Sequence, residues 1–181
     1  MLIKNGIGVI GTGYVGLVSA ACFAYLGLNV HGVDRDQAKI ELLNKGIMPI
    51  YEQDLAPLVA AGKQQSRLVF SSDLPRMVND SETIFIAVGT PSKETGAVDL
   101  SYLRSVALAL APLLNVHRYL VIKSTVPVGT SAQFSAWLRE TNPSAQFTMV
   151  SNPEFLREGM AVSDFLKTDR GLIGGETPEA R

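Results

Sequence analysis

The chain has 181 residues, 46% of them hydrophobic and 18% charged, with a formal net charge of -1. That is ample apolar material for a buried core and too little charge for a disordered chain, and the length suits one domain with at most an appendage. No basic run or stripe invites nucleic acid or an anionic membrane surface. The single cysteine, Cys22, excludes an internal disulfide and a cysteine metal cluster. The first residues lead straight into an apolar strand without the core or cleavage site of a signal peptide, and no stretch is long enough to span a bilayer. The expectation is a soluble cytoplasmic protein.

Short apolar runs alternate with amphipathic stretches along the chain. A strand at 7–10 is followed by a helix at 14–26, a strand at 29–33, and helices at 36–44 and 54–61. A strand at 68–70, a helix at 74–78 and a strand at 83–88 come next, then an irregular stretch at 89–99 and a helix at 101–114. The pattern closes with a strand at 119–122, a helix at 130–140, a strand at 147–150 and a final short strand at 172–175. The strands are continuously apolar, as when helices cover both faces of a sheet. The alternation predicts an α/β fold, a doubly wound and mostly parallel sheet with helices on both faces. One domain fills 1–181, and the six residues after the last strand leave no length for a second.

Gly11-Thr12-Gly13-Tyr14-Val15-Gly16 fits G-x-G-x-x-G, with a strand running in and a helix running out. Gly11 permits the tight turn, Gly13 lets the backbone approach a pyrophosphate, and Gly16 lets the helix pack close to the strand. The free N–H groups at the helix start then face the phosphates. Asp34 ends the second strand eighteen residues after Gly16. A carboxylate there accepts from ribose hydroxyls and repels a 2′-phosphate, so the chain reads as a dinucleotide-binding Rossmann domain that favours NAD over NADP. Arg35 complicates that preference, since an arginine after the acid sometimes reaches a 2′-phosphate. Asp36 reads as the cap of the helix that follows.

Six segments carry a resemblance: GTGYVGLV at 11–18, VDRDQAKI at 33–40, PIYE at 49–52, FIAVGTP at 85–91, KSTVPVGT at 123–130 and NPEFLREG at 152–159. With them the chain resembles the UDP-glucose/GDP-mannose dehydrogenase family from its first strand to its last. The resemblance implies oxidation of the C6 hydroxyl of a nucleotide sugar to a carboxylate with reduction of two NAD molecules. UDP-glucose is the favoured substrate, with UDP-N-acetyl-hexosamine and GDP-mannose as alternatives. A non-catalytic NAD-binding module is a further alternative. The family's cysteine nucleophile captures the aldehyde and passes through a thioester that water hydrolyses. By resemblance, Tyr14, Val15, Asp34 and Lys39 touch the cofactor's pyrophosphate and adenosine ribose. Val88, Gly89, Thr90 and Pro91 line the cofactor cleft, and Ser124 and Thr125 lie near the nicotinamide. Thr125 helps to place a water, Glu154 is the acid/base that assists hydrolysis, and Glu154, Phe155, Leu156, Arg157 and Glu158 pass along the sugar nucleotide. Glu158 also approaches the nicotinamide.

The residues themselves agree in outline. Thr125 follows an apolar strand, so its hydroxyl emerges where ligands sit in such sheets. Pro153 disfavours helix at Asn152, so Glu154 projects into the same crevice, a candidate general base. Spacing alone leaves open that Glu154 and Glu158 are only first-turn acids of a helix. Cys22, His31, His117 and Trp137 read as structural, and Lys123 as either a cofactor-side cation or a solvated residue. The sequence departs from the family twice: Gln53-Asp54 stand where Pro-Gly is common, and Thr168 where the family usually has proline. The family's catalytic cysteine, lysine and asparagine would come after residue 181, as would the central helix of its homodimer. The isolated chain is therefore expected to bind NAD without completing the oxidation.

Overall fold

In a computed structural model, residues 6–175 are described. In chain order they form β1 (Gly6–Ile10), α1 (Tyr14–Tyr25), β2 (Asn29–Val33), α2 (Gln37–Asn44), α3 (Leu55–Gln64), β3 (Leu68–Ser71), α4 (Leu74–Asp80) and β4 (Thr83–Ile86). Then come α5 (Ser101–Leu110), a 3-10 turn (Ala111–Leu113), β5 (Arg118–Ile122), α6 (Thr130–Thr141), β6 (Phe147–Ser151), α7 (Ala161–Leu166) and β7 (Gly174–Gly175). The strands make one sheet in the order β3-β2-β1-β4-β5-β6-β7, parallel except for the β6–β7 pair. This is the doubly wound sheet that the alternating pattern predicts.

Strand alternation divides the core. Val9 of β1 packs with α1, α2, α3 and α7 on one face, while its neighbour Ile10 packs with α4, α5 and α6 on the other. Helix α1 is apolar nearly all round, with Leu17, Val18, Ala20, Ala21, Cys22 and Ala24 fully buried. Its small side chains let it lie close on the sheet, as a helix buried on most sides must. Cys22 is one of those packing residues, and burial pushes its thiol up to about 12, which leaves it unreactive. His31 is buried against the Ser71 hydroxyl at 2.7 Å, and His117 meets the Thr148 hydroxyl at 2.8 Å. Among the described residues no helix is long and apolar enough to cross a membrane.

Local chemistry explains most element ends. Asp36 caps α2 by accepting from the Lys39 N–H at 3.1 Å, and Asp73 caps α4 by accepting from the Arg76 N–H at 3.0 Å. Helix α5 stops at Leu110, short of the expected 114, because Pro112 has no N–H to continue the ladder and the chain tightens into the 3-10 turn. Strand β4 ends at Ile86 rather than 88, where the Ile86 carbonyl takes the N–H groups of both Lys123 and Ser124. The stretch 89–99 is a small hairpin with a bridge between Ser92 and Val98. Helix α7 has no counterpart in the sequence reading.

The Gln53-Asp54 departure has a visible conformational cost. Asp54 stands at φ +64, in the left-handed region that glycine occupies freely and aspartate tolerates. Asp54→Gly is expected to stabilise the domain by about 0.5–1 kcal/mol in urea denaturation, because relief of that conformation outweighs the added freedom of the unfolded chain.

Candidate functional site

The strand order reverses direction at β1 and β4, which opens a crevice at their carboxyl ends. A cavity of about 360 Å³ lies there, lined among others by Gly11, Gly13, Asp34, Lys39, Val88 and Gly89. Gly11 turns the chain with φ +94, and its N–H donates to the Val33 carbonyl at 2.8 Å. A Cβ on Gly16 would lie 1.9 Å from the Gly11 carbonyl oxygen, so α1 approaches the loop as only glycine allows. A Cβ on Gly13 would meet nothing within 4 Å, so the loop has open space beside its second glycine. Tyr14 and Val15 form the first turn of α1, with backbone N–H groups left over from the helix ladder.

Asp34 lies at the end of β2 with its side chain 11% exposed. Its Oδ2 accepts from the Thr12 N–H at 2.8 Å, the Thr12 hydroxyl at 2.9 Å and the Lys39 ammonium at 3.1 Å. Its Oδ1 accepts from the Asp36 N–H at 3.1 Å. Burial works to raise its pKa, but the hydrogen bonds from Thr12, Asp36 and Lys39 together outweigh it and hold the carboxyl below its ordinary value. Asp34 is thus an ionised wall of the cavity and also the anchor of the glycine loop, through Thr12. Sequence reasoning assigned Thr12 no role; a hydroxyl between the first two glycines was the available signal. The Arg35 guanidinium lies over the ring of Tyr102 at 4.8 Å, and both residues line the cavity.

The loops after β4 and β5 are tied together. The buried Ser124 donates its hydroxyl to the Val88 carbonyl at 2.7 Å, and the Thr90 hydroxyl donates to the Thr125 carbonyl at 2.9 Å. Thr125 itself is exposed, with its side chain beyond the end of β5. Pro91 closes the base of the 89–99 hairpin, its carbonyl accepting from the Asp99 N–H at 2.8 Å.

Lys123 is buried, 6% exposed, which removes the solvated alternative. Its ammonium donates to Asn152 Oδ1 at 3.1 Å and lies 5.6 Å above the Phe165 ring. Burial lowers its pKa, and the nearby Glu154 charge works against that shift. The amide of Asn152 in turn donates to the Leu172 carbonyl at 2.9 Å. Glu154 is half-buried and accepts from the Leu156 N–H at 2.6 Å, so it shapes the turn that carries it.

The remaining NPEFLREG residues diverge. Phe155 is exposed beneath the Arg170 guanidinium at 5.4 Å, and Leu156 packs on the core beside α1. Arg157 grips Asp164, its Nη2 on Oδ1 at 2.7 Å, and this pairing raises the Arg157 pKa and holds that of Asp164 at about 2. Glu158 is exposed, and its charge bears on Tyr14. The Tyr14 side chain leaves the glycine loop altogether: its hydroxyl donates to the buried Glu52. Burial, reinforced by that acceptor, pushes the phenol up to about 12.

Comparison with known proteins matches this arrangement to one family. The family model described as "UDP-glucose/GDP-mannose dehydrogenase family, NAD binding domain" matches residues 5–181. A UDP-glucose 6-dehydrogenase of Rhizobium meliloti (strain 1021) is 49% identical over 176 residues, 97% of this chain and 40% of that protein. A solved UDP-glucose dehydrogenase from the hyperthermophilic archaeon Pyrobaculum islandicum shares 37% identity with a TM-score of 0.93, over 97% of this chain and 42% of that one. A GDP-mannose dehydrogenase of Pseudomonas aeruginosa, solved as a ternary complex, shares 35% identity with a TM-score of 0.92, over 96% and 42%. The chain therefore spans about two fifths of the length of the relatives it matches. With a glycine loop at the switch point, an acid at the end of β2 and a family match along nearly its whole length, the chain belongs to the UDP-glucose/GDP-mannose dehydrogenase family, as its NAD binding domain.

Proposed function

We propose that this chain is the cofactor half of an enzyme that oxidises the C6 hydroxyl of UDP-glucose to a carboxylate. The observation that carries the reading is the cavity at the β1–β4 switch point, bounded by Gly11 and Gly13 on one side and the ionised Asp34 on another. NAD fits it on two counts. The space beside Gly13 is where a pyrophosphate needs close backbone approach. Asp34 Oδ1, which among the described residues accepts only from the Asp36 N–H, keeps a lone pair for a ribose hydroxyl while the charge repels a 2′-phosphate. When bound there, NAD supplies a hydride acceptor.

The chain's own residues then have separable tasks. The N–H groups of the first turn of α1 bind the pyrophosphate. Ser124 and Thr90 hold the β4 and β5 loops at a fixed spacing, and these loops would receive the nicotinamide end of the cofactor. The exposed Thr125 hydroxyl orients a water, and the Glu154 carboxylate takes a proton from that water. Phe155, Arg157 and Glu158 would line the nucleotide sugar in this reading, with Glu158 also assigned to the nicotinamide end of the cofactor. This reading assigns the nucleophile, the rest of the sugar site and a homodimer contact to sequence outside the 40% of the Rhizobium meliloti relative that this chain covers. A cytoplasmic setting, with its NAD pool, suits this reading.

UDP-glucose is preferred because several curated relatives at 43–49% identity carry that name. GDP-mannose is the second reading, supported by the 35% identical ternary complex. Calorimetric titration of the 181-residue chain is expected to give NAD binding at least about tenfold tighter than NADP, a difference of about 1.4 kcal/mol. A preference for NADP would overturn the role given to Asp34. Assay of the full-length protein against a panel of nucleotide sugars, following NADH, tests the substrate. No turnover of any of them would leave a binding module and overturn the enzyme.

A further inference from the structure

The PIYE segment ends in a carboxylate that the function above does not use. Glu52 is 6% exposed, while its neighbour Tyr51 is 92% exposed. A carboxylate buried that far needs hydrogen-bond donors, and three reach it from two distant parts of the chain. Its Oε2 accepts from the Tyr14 hydroxyl and from the Gly159 N–H at 2.7 Å, and its Oε1 accepts from the Ala161 N–H at 3.0 Å. The residue preceding α7, Met160, has no side-chain cap of its own, so Glu52 does that work from across the fold.

Tyr14 is the other half of the link. As the first residue of α1 its backbone belongs to the glycine loop, while its hydroxyl lies on Glu52, within 3.2 Å of the Gly159 N–H and 3.4 Å of the Arg157 carbonyl. The segment held in this way is itself stiffened. Asp164 accepts from the Arg157 N–H at 2.9 Å, from Nε at 3.1 Å and from Nη2 at 2.7 Å, which closes residues 157–164 into one unit. Fixing Gly159 and Ala161 therefore fixes the chain that leads back to Glu154.

We propose that Glu52 is a positioning residue that fastens the 157–161 segment to the first turn of α1, so that cofactor at the glycine loop and the segment bearing Glu154 and Glu158 are held in one frame. The inference rests on the reading that the first turn of α1 binds NAD. It carries a reciprocal consequence: if cofactor steadies Tyr14, it steadies Gly159 and Ala161 through Glu52, and the segment steadies the cofactor loop in return.

The test is amide hydrogen exchange on the 181-residue chain with and without saturating NAD, in wild type, Glu52→Ala and Glu52→Gln. NAD is expected to slow exchange at Gly159 and Ala161 at least about fivefold in wild type. That NAD-dependent slowing is lost in Glu52→Ala, which still binds NAD, and is partly restored in Glu52→Gln, which keeps one acceptor oxygen. A merely structural anchor would raise exchange in Glu52→Ala but leave the response to NAD in place, and that result overturns the proposal. Should Glu52→Ala fail to fold, Tyr14→Phe removes the hydroxyl alone and is expected to blunt the same response; an unchanged response overturns the proposal equally. NAD binding to wild type without slowing sinks this inference alone, whereas no NAD binding sinks the cofactor reading with it.

Discussion

Gly16→Ala is expected to destabilise the domain by about 3 kcal/mol or more, while Gly13→Ala leaves it folded and abolishes tight NAD binding. The two glycines are three residues apart in one motif, yet their surroundings are opposite. The added methyl at Gly16 lands 1.9 Å from a backbone oxygen, that of Gly11, with the Ala87 side chain also at 3.3 Å. Neither α1 nor the loop can move aside without breaking the contacts that bury Leu17, Val18 and Ala20. Against a typical stability of about 5–15 kcal/mol this is a large fraction. At Gly13 the backbone is extended, φ -73 and ψ -166, and a methyl meets nothing within 4 Å. Alanine is expected there to be neutral or stabilising by about 0.5 kcal/mol in the free domain. The methyl then occupies the space a pyrophosphate needs, and NAD affinity falls about a hundredfold or more, about 2.7 kcal/mol. Urea denaturation and calorimetry on both variants separate the two effects. Equal losses of stability would refute the distinction.

Asp34→Ala is expected to lose about 2–3 kcal/mol of stability and to weaken NAD binding about a hundredfold, with NADP weakened far less. The stability loss comes from stranding the Thr12 N–H and the Lys39 ammonium, both of which now donate to Oδ2. The change in preference comes from removing the charge that opposes a 2′-phosphate. The same carboxylate sets a pH dependence. Its pKa is lower in the folded domain than in the unfolded chain, so its contribution is fully present above the unfolded value of about 4 and is lost as pH falls through the folded value. Wild-type stability is therefore expected to drop more steeply below about pH 4 than that of Asp34→Asn, in thermal melts across that range. Parallel pH profiles for the two would deny Asp34 the depressed pKa.

The elements legible in the sequence are those whose signals are local. The strands from Val9 to Val150 are buried by helices and read as apolar runs. Asp36 caps a helix by accepting from the N–H three residues ahead, within reach of a short window. Asp34 was readable because the glycine fingerprint fixes its offset. What escaped was held at long range. Helix α7 is six residues long and its first N–H, that of Ala161, is satisfied by Glu52, 109 residues away, so neither length nor capping marks it. Pro112 lies within the expected α5, and its missing N–H is a local stop signal. Lys123 stayed ambiguous because its burial depends on Asn152 and Phe165, brought over it by β6 and α7. Leu156 and the Tyr14 side chain lie in cofactor or substrate motifs yet pack inward, one on the core and one on Glu52. A motif names a segment; which atoms of each residue face the ligand is decided by packing.

The strand order also bears on how the domain is built at the ribosome. The first of the described strands is central, with β2 and β3 laid down on one flank and β4 to β7 on the other. Among the described residues every later strand thus docks on a neighbour already made, and none waits for a later one of the seven to slot between it and its mate. The one long return is from β3 back to β1, where β4 must pair Ile7 with Thr83. That closure also creates the crevice for the cofactor, so a nascent chain has the makings of a nucleotide pocket only once β4 has emerged.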